Sequence, residues 1–219
     1  MAFQDFRTRL FLITPQTPPP DFAERFASAL AGGDIGCMLV EGDKSDQRAF
    51  QDFAAPYVQT AQGANIAVLI ADDKRLADRL NADGVHLSEP KTLEQSDQDK
   101  LQERGMIVGT AGINTRHLAL QTGEREFDYL FFGRTDRDLT EDNHPKTETL
   151  SLWWAQTMAI PCVALAGTSD EAFTKLAEGG VEFIAVRDQI WDAEDPGAEV
   201  ARLNVVLDTI AKRRMEAAA

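Results

Sequence analysis

The sequence predicts an α/β fold, a single (β/α)8 TIM barrel, on three observations. Short apolar segments alternate with amphipathic ones eight times along 219 residues. The repeat is therefore roughly 27 residues, the size of a compact strand–helix unit of such a barrel. The apolar segments are rich in Val, Ile, Leu and Phe on both faces, as a parallel sheet covered by helices requires. A doubly wound open sheet is the competing architecture, but no Gly-x-Gly-x-x-Gly follows the first strand and no P-loop occurs. No composition break divides the chain. One domain is expected over 1–219, with its barrel core at about 9–212.

The elements follow in order. Arg9–Thr14 reads as a strand stopped by Pro15 and the Pro18–Pro20 run, and Asp21–Ala31 as a helix closed by Gly32-Gly33. Ile35–Val40 is the second strand. Ser45–Ala61 is a helix with Ser45 or Asp46 as its cap and Gly63 as its stop. Ala64–Ile70 is the third strand, and Asp72–Leu80 a helix capped by Asp72 or its neighbour. Gly84–Leu87, Met106–Gly109 and Phe127–Phe132 are strands four to six; helices over Thr92–Arg104 and Asn114–Gln121 separate them. A charged loop, Gly133–Lys146, leads to a helix at Thr147–Met158. Cys162–Ala166, a helix at Ser169–Glu178, the strand Phe183–Val186 and a helix at Pro196–Lys212 complete the count, with a frayed Ala217–Ala219 tail.

Composition narrows the functions. Lys and Arg number 22 against 36 Asp and Glu, a net charge of −14 and a pI of about 4.6. Such a chain repels polyphosphate backbones, so nucleic acid is not the expected partner; a small phosphorylated ligand in a local pocket remains compatible. No apolar run reaches the ~18 residues of a membrane span. The first residues, with Asp5 early, lack the pattern of a signal peptide, which makes the cytoplasm the expected compartment. Cys37 and Cys162 with three scattered histidines form neither a disulfide framework nor a zinc site.

In a barrel the chemistry sits just after each strand. Gly167, Thr168 and Ser169 after strand seven and Arg187 and Asp188 after strand eight match the place where barrels hold phosphate, with backbone N–H groups and an arginine as the complement. Gly167 permitting a turn and Thr168 or Ser169 capping a helix is the plainer reading. Asp72, with Asp73 and Glu89 one unit later, could share a Mg²⁺ from adjacent strand ends; alternatively Asp72 only caps a helix. The fourteen residues Gly133–Lys146, which include Arg134, Thr135, Arg137, His144 and Lys146, make either a lid carrying cations over an anionic substrate or a solvated loop. His86, inside a strand, either touches ligand or is a satisfied core histidine. Of Trp153 and Trp154, at least one ring should be buried. No organic cofactor is implied.

Several segments together resemble the thiamine-phosphate synthase family and its thiazole-tautomerase relatives. Ala82-Asp83-Gly84-Val85-His86-Leu87 is similar to that family's ADGVHLGQ segment, and Val68–Asp73 with Leu76-Ala77 to its LIINDR…LA stretch at the same distance. Arg9–Pro15, Ile107–Gly109, Asp128-Tyr129 with Gly133, Pro161–Gly167 and Val181–Val186 fall in the family's order, so the resemblance spans roughly 9–190. It implies a (β/α)8 barrel that couples hydroxymethylpyrimidine diphosphate to thiazole phosphate and releases diphosphate with Mg²⁺. The family's functional positions are altered. Its Asn-Asp pair falls at Ala71-Asp72 and its second metal aspartate at Lys91, with Glu89 nearby. Its Gln-x-Arg-x-Lys strand end falls near Leu39–Asp43, where Lys44 is the nearest cation. Its serine falls at Ala111 and the tautomerase histidine at Ile113. Its threonine–lysine loop is represented by Thr135 with Arg134 or Arg137, and its two phosphate turns by Ala166-Gly167-Thr168 and Val186–Ile190. Three roles follow: a divergent synthase rebuilt around Asp72, Glu89 and loop cations; a non-catalytic phosphate-ester-binding or regulatory barrel; or an interaction scaffold. A homodimer through helix faces is the expected assembly.

Overall fold

In the computed structural model, residues 7–15, 17–43 and 45–218 are described. Gln16 and Lys44, and the residues before Arg7, lie outside them. Eight strands close into one parallel barrel, each hydrogen-bonded to its sequence neighbours, with the eighth paired to the first. They are β1 (Arg9–Ile13), β2 (Ile35–Val40), β3 (Ala67–Ala71), β4 (Gly84–Leu87), β5 (Ile107–Thr110), β6 (Tyr129–Phe132), β7 (Cys162–Leu165) and β8 (Phe183–Val186). The helices are α1 (Phe22–Ala31), α2 (Gln47–Gly63), α3 (Lys74–Leu80), α4 (Gln95–Glu103), α5 (Arg116–Gly123), α6 (Pro145–Thr157), α7 (Asp170–Gly179), α8 (Asp188–Trp191) and α9 (Pro196–Ala218). The (β/α)8 expectation is borne out.

Strand alternation splits the apolar residues into two cores. Phe11, Ile13, Cys37, Leu39, Leu69, Phe131, Val163 and Leu165 are among those filling the barrel interior. Leu10, Leu12, Met38, Val40, Val68 and Ile70 point outward to the helices. Both strand faces are therefore buried, which is why these strands lack the polar alternation of a half-exposed sheet. Gly84 lets β4 approach β5: a Cβ there would stand 2.0 Å from the Ile107 carbonyl oxygen. At Gly109 a Cβ would stand 2.0 Å from the Tyr129 ring, so the missing side chain on β5 makes room for an aromatic on β6.

At the N-terminal end of the barrel an acidic residue precedes every second strand. Asp83, Asp128 and Glu182 stand before β4, β6 and β8. Their carboxylates accept the N–H groups of Val68 (2.7 Å), Val108 (2.7 Å) and Cys162 (3.0 Å) on the preceding strands. Each satisfies a donor that the ladder leaves unpaired at a strand start.

Differences from the sequence reading are local. The helix expected from Asp72 starts at Lys74 and is capped by Asp73, because Asp72 takes a left-handed φ of 52°. The helix expected over Thr92–Arg104 is a 3-10 turn, Pro90–Thr92, followed by α4, with Leu93 extended between them. The α8 turn was not expected; it places the Trp191 indole N–H 2.6 Å from the Ile13 carbonyl under the mouth of the barrel. Of the tail expected to fray, Ala217 and Ala218 are helical, and Ala219 lies outside the described residues. Arg214 explains this by donating to the Ala177 (2.6 Å) and Glu178 (3.0 Å) carbonyls and pinning the last turns to α7.

Both cysteines are buried and free. Burial pushes both thiols well above their ordinary range. Thiolate is the reactive form, so a disulfide thiol reagent at pH 8 should modify neither cysteine in the folded protein and both after denaturation. Labelling of the native chain, counted by mass spectrometry, would contradict this placement.

Candidate ligand site at the barrel mouth

A cavity of about 850 Å³ opens at the C-terminal mouth, over the ends of β2 to β6. Ala71, His86, Ala111 and Phe131 line it from the strands and their immediate ends. The His86 Nδ1 lies 2.7 Å from the Tyr129 hydroxyl, and the two rings stack at 5.8 Å. Phe131 meets the imidazole edge-on at 5.2 Å. Burial holds the Tyr129 phenol well above its usual range, so it stays neutral. His86 is a satisfied, 4% exposed histidine, and it lines the cavity.

The rim is acidic. Glu41, Asp43, Glu89, Asp136 and Asp138 line the cavity against Arg134, Arg137 and Lys146. The two arginines are engaged by the loop itself. Arg134 pairs with Asp138 at 2.6 Å, and Arg137 with Asp136 at 2.6 Å. These bonds lift both guanidinium groups still further above neutrality.

Arg187 and Thr135 come together, joined by a residue that sequence reasoning passed over, Glu41. The Thr135 hydroxyl donates to Glu41 Oε1 at 2.6 Å. Arg187 donates to the Thr135 carbonyl (2.7 Å) and to Asp188 (2.8 Å), and stands 3.8 Å from Glu41 Oε2. Arg187 and Glu41 are 11% and 14% exposed, so this is a largely buried network linking the ends of β2, β6 and β8. Glu41 is held in turn from β1, where its N–H donates to the Thr14 hydroxyl at 2.9 Å.

Gly167, Thr168 and Ser169 form a turn whose three N–H groups are all taken by the preceding loop. The Gly167 N–H donates to Asn143 Oδ1 (2.9 Å), Thr168 to the Thr140 carbonyl (2.9 Å) and Ser169 to the Glu141 carbonyl (3.0 Å). The Ser169 side chain caps α7 through the Ala172 N–H. Asp188 opens the four-residue α8. None of these four, nor Arg187, lines the 850 Å³ cavity; Arg134, Thr135, His86 and Glu89 do. Asn143, Glu41 and Tyr129 were missed because their partners are distant in sequence. The available signals were Glu41 as the first residue after β2 and Gly109 opposite an aromatic.

Both Asp72 oxygens accept from Ser88, one from its N–H at 2.6 Å and one from its hydroxyl. Asp72 lines a separate cavity of about 290 Å³ beside Asp73 and Lys74, whereas Glu89 lines the main one. Among the described residues no three His, Cys, Asp or Glu gather as a metal site. Mg²⁺ keeps waters and takes only one or two carboxylates beside a substrate's phosphates, so Asp72 or Glu89 would supply a single ligand each.

A closed parallel barrel with a cavity at its C-terminal mouth is a (β/α)8 protein, the fold class in which many small-molecule enzymes place their sites at that mouth. No described helix is long and apolar enough to cross a membrane. Within that class the chain belongs to the thiamine monophosphate synthase family, whose model matches residues 10–190. It is 32% identical to the thiamine-phosphate synthase of Rhodospirillum centenum over 204 residues, covering 91% of this chain and 97% of that protein. It is 32% identical to that of Hyphomonas neptunium over 213 residues, covering 94% and 96%. The thiamine phosphate pyrophosphorylase structure from Pyrococcus furiosus superposes with a TM-score of 0.75 at 20% identity, covering 94% and 98% of the two chains. A geranylgeranylglyceryl phosphate synthase from Thermoplasma acidophilum shares the fold alone, at TM-score 0.63 and 14% identity over 94% and 95%. The family read from Ala82–Leu87 and its companion segments is thus borne out, and the chain is thiamine-phosphate synthase-like in sequence and fold.

Proposed function

We propose that this barrel is a binding member of its family, one that holds a small nitrogen heteroaromatic of the thiamine type by its rings in the mouth cavity. In this reading the diphosphate-releasing coupling is lost or strongly slowed. One observation carries it: Arg134, Arg137, Arg187 and the Gly167–Ser169 N–H groups are each bonded to acceptors of the chain itself, while the cavity keeps an aromatic side and an acidic rim. A diphosphate leaving group needs preorganised cationic or N–H donors, each worth about 10²–10³ in rate. An acidic rim suits an aminopyrimidine or a cationic thiazolium ring instead, through hydrogen bonding and charge. The second reading is the synthase itself, favoured by the 32% identity over nearly the full length of curated synthases.

The two readings separate in one assay. The protein is given hydroxymethylpyrimidine diphosphate, thiazole phosphate and Mg²⁺, and thiamine binding is measured by calorimetry alongside. The expected result is saturable thiamine binding, with turnover at least about a thousandfold below an ordinary kcat of ~10 s⁻¹. Turnover near the ordinary value restores the synthase. Absence of both binding and turnover leaves the interaction scaffold.

A further inference from the structure

We propose that Tyr129 is a positioning residue for His86. Its hydroxyl donates to the imidazole Nδ1 and places the ring proton on Nε2, which makes His86 a neutral hydrogen-bond donor to a lone-pair atom of the ligand, a ring nitrogen or a carbonyl oxygen. This deepens the preceding proposal by naming the kind of ligand atom that the strand side of the cavity takes, and it rests on that reading only for the ligand's identity.

The pair is built by the register of the barrel. His86 on β4, Gly109 on β5 and Tyr129 on β6 are cross-strand partners in one row. A Cβ at Gly109 would stand 2.0 Å from the Tyr129 ring, so glycine lets the phenol reach across β5 to the histidine. The Tyr129 hydroxyl then lies 2.7 Å from Nδ1, an ordinary length for a hydrogen bond made by a hydroxyl. Phe131, edge-on at 5.2 Å, packs against the same imidazole. Packing alone does not call for a hydroxyl here. Phe11 touches both Tyr129 and Phe131, and it fills the same interior without a polar atom. A buried phenol carries a desolvation cost that a hydrogen-bond partner must offset.

Burial sets the direction of the bond. Tyr129 is buried and its phenol is held well above its usual range, so the hydroxyl keeps its proton. Among the described residues, His86 is the hydrogen-bond partner of that hydroxyl. If Nδ1 carried a proton and donated it, the hydroxyl proton would have no acceptor in the barrel interior, at the full desolvation cost of the group. Donation from Tyr129 satisfies both groups. It uses the Nδ1 lone pair, so the neutral ring holds its proton on Nε2. His86 lines the cavity and Tyr129 does not, so the imidazole stands between the phenol and a ligand. A ring N–H there complements a lone-pair atom and has nothing to offer another N–H. The acidic rim has the opposite preference, for amino groups and cations. A heteroaromatic with a ring nitrogen on one edge and an amino or cationic group on another meets both.

The test reads the two ring nitrogens of His86 by NMR, on the full chain labelled with nitrogen-15 histidine. The His86 signals are those lost in His86→Gln. In the parent at neutral pH, Nε2 is expected to carry an attached proton and Nδ1 none. A proton bonded to Nδ1 overturns the proposal. Tyr129→Phe keeps the ring and its packing and removes the donor. In that variant the Nδ1 resonance should move to the position of an unbonded pyridine-type nitrogen. Thiamine, the probe ligand, should bind it about three- to tenfold more weakly than the parent, the equivalent of one misdirected neutral hydrogen bond. An unmoved Nδ1 resonance in the folded variant reduces Tyr129 to a packing residue and overturns the proposal, as does an unchanged thiamine affinity. In the parent, thiamine should shift the Nε2–H resonance; saturable binding that leaves it unmoved overturns the donor role of His86. If thiamine does not bind the parent at all, the proposed function fails, while the proton's position and the Nδ1 shift in Tyr129→Phe still decide this proposal. If Tyr129→Phe does not fold, the proton's position in the parent decides it alone.

Discussion

Trp154→Ala is expected to destabilise the protein by about 3–5 kcal/mol and to lower its Tm by roughly 10 °C or more. Trp154 on α6 is 1% exposed. Its ring packs 6.1 Å from Phe132 on β6, and its indole N–H donates to the Ile160 carbonyl at 2.8 Å. Gly123 at the end of α5 leaves space for it: a Cβ there would stand 2.8 Å from the ring. Truncation therefore opens a cavity and also orphans a carbonyl at the entry to β7, two independent costs at one position. The neighbouring residue is the control. Trp153 is only partly buried and carries Arg116 over its face at 4.9 Å, so Trp153→Ala should cost about 1 kcal/mol or less. Thermal denaturation of the two variants decides the matter. Equal losses would mean that α6 is not rotated as described.

The contrast between these tryptophans shows what was legible in the sequence. Burial of at least one ring followed from composition, but which one depends on the rotation of α6, and a Trp-Trp pair cannot reveal it. The eight strands were legible because both-face burial makes apolar runs such as Val68–Ile70 and Leu130–Phe132 unmistakable. The four-residue α8 is too short to carry a helical period and escaped notice. The Asp83–His86 motif marked the family correctly while mixing two duties. Asp83 and Gly84 serve the N-terminal end and the β4–β5 approach, and only His86 reaches the cavity. Gly167–Ser169 has the residue types of an anion turn, and local pattern ends there. Whether its N–H groups face a ligand or Thr140, Glu141 and Asn143 is settled by contacts roughly 25 residues apart, beyond any window of periodicity. Asp72 and Glu89 follow the same logic: adjacent strand ends place them near one another, yet the left-handed φ of Asp72 turns its carboxylate to Ser88.

Arg187→Met is expected to cost about 3 kcal/mol, the lower end of what breaking a buried ion pair costs. The substitution keeps much of the side-chain volume and removes the charge, so cavity terms stay small. What is lost is the guanidinium that balances Glu41 across the mouth and satisfies the Thr135 carbonyl. The lower end applies because Asp188, the third partner, is 34% exposed and water can replace the arginine there. If the network is structural, Glu41→Gln in the Arg187→Met background should recover stability, since an amide no longer needs the cation. The double variant should unfold at a higher urea concentration than Arg187→Met alone, a positive coupling of about 1 kcal/mol or more. An arginine kept for a ligand's phosphate behaves oppositely. Its loss would leave stability within about 0.5 kcal/mol of the parent, and Glu41→Gln would recover nothing. Urea titration of the three variants thus separates an internal ion pair from an anion site without any ligand in the tube. The first outcome is expected, because Arg187 donates to the Thr135 carbonyl and to Asp188 and stands 3.8 Å from Glu41.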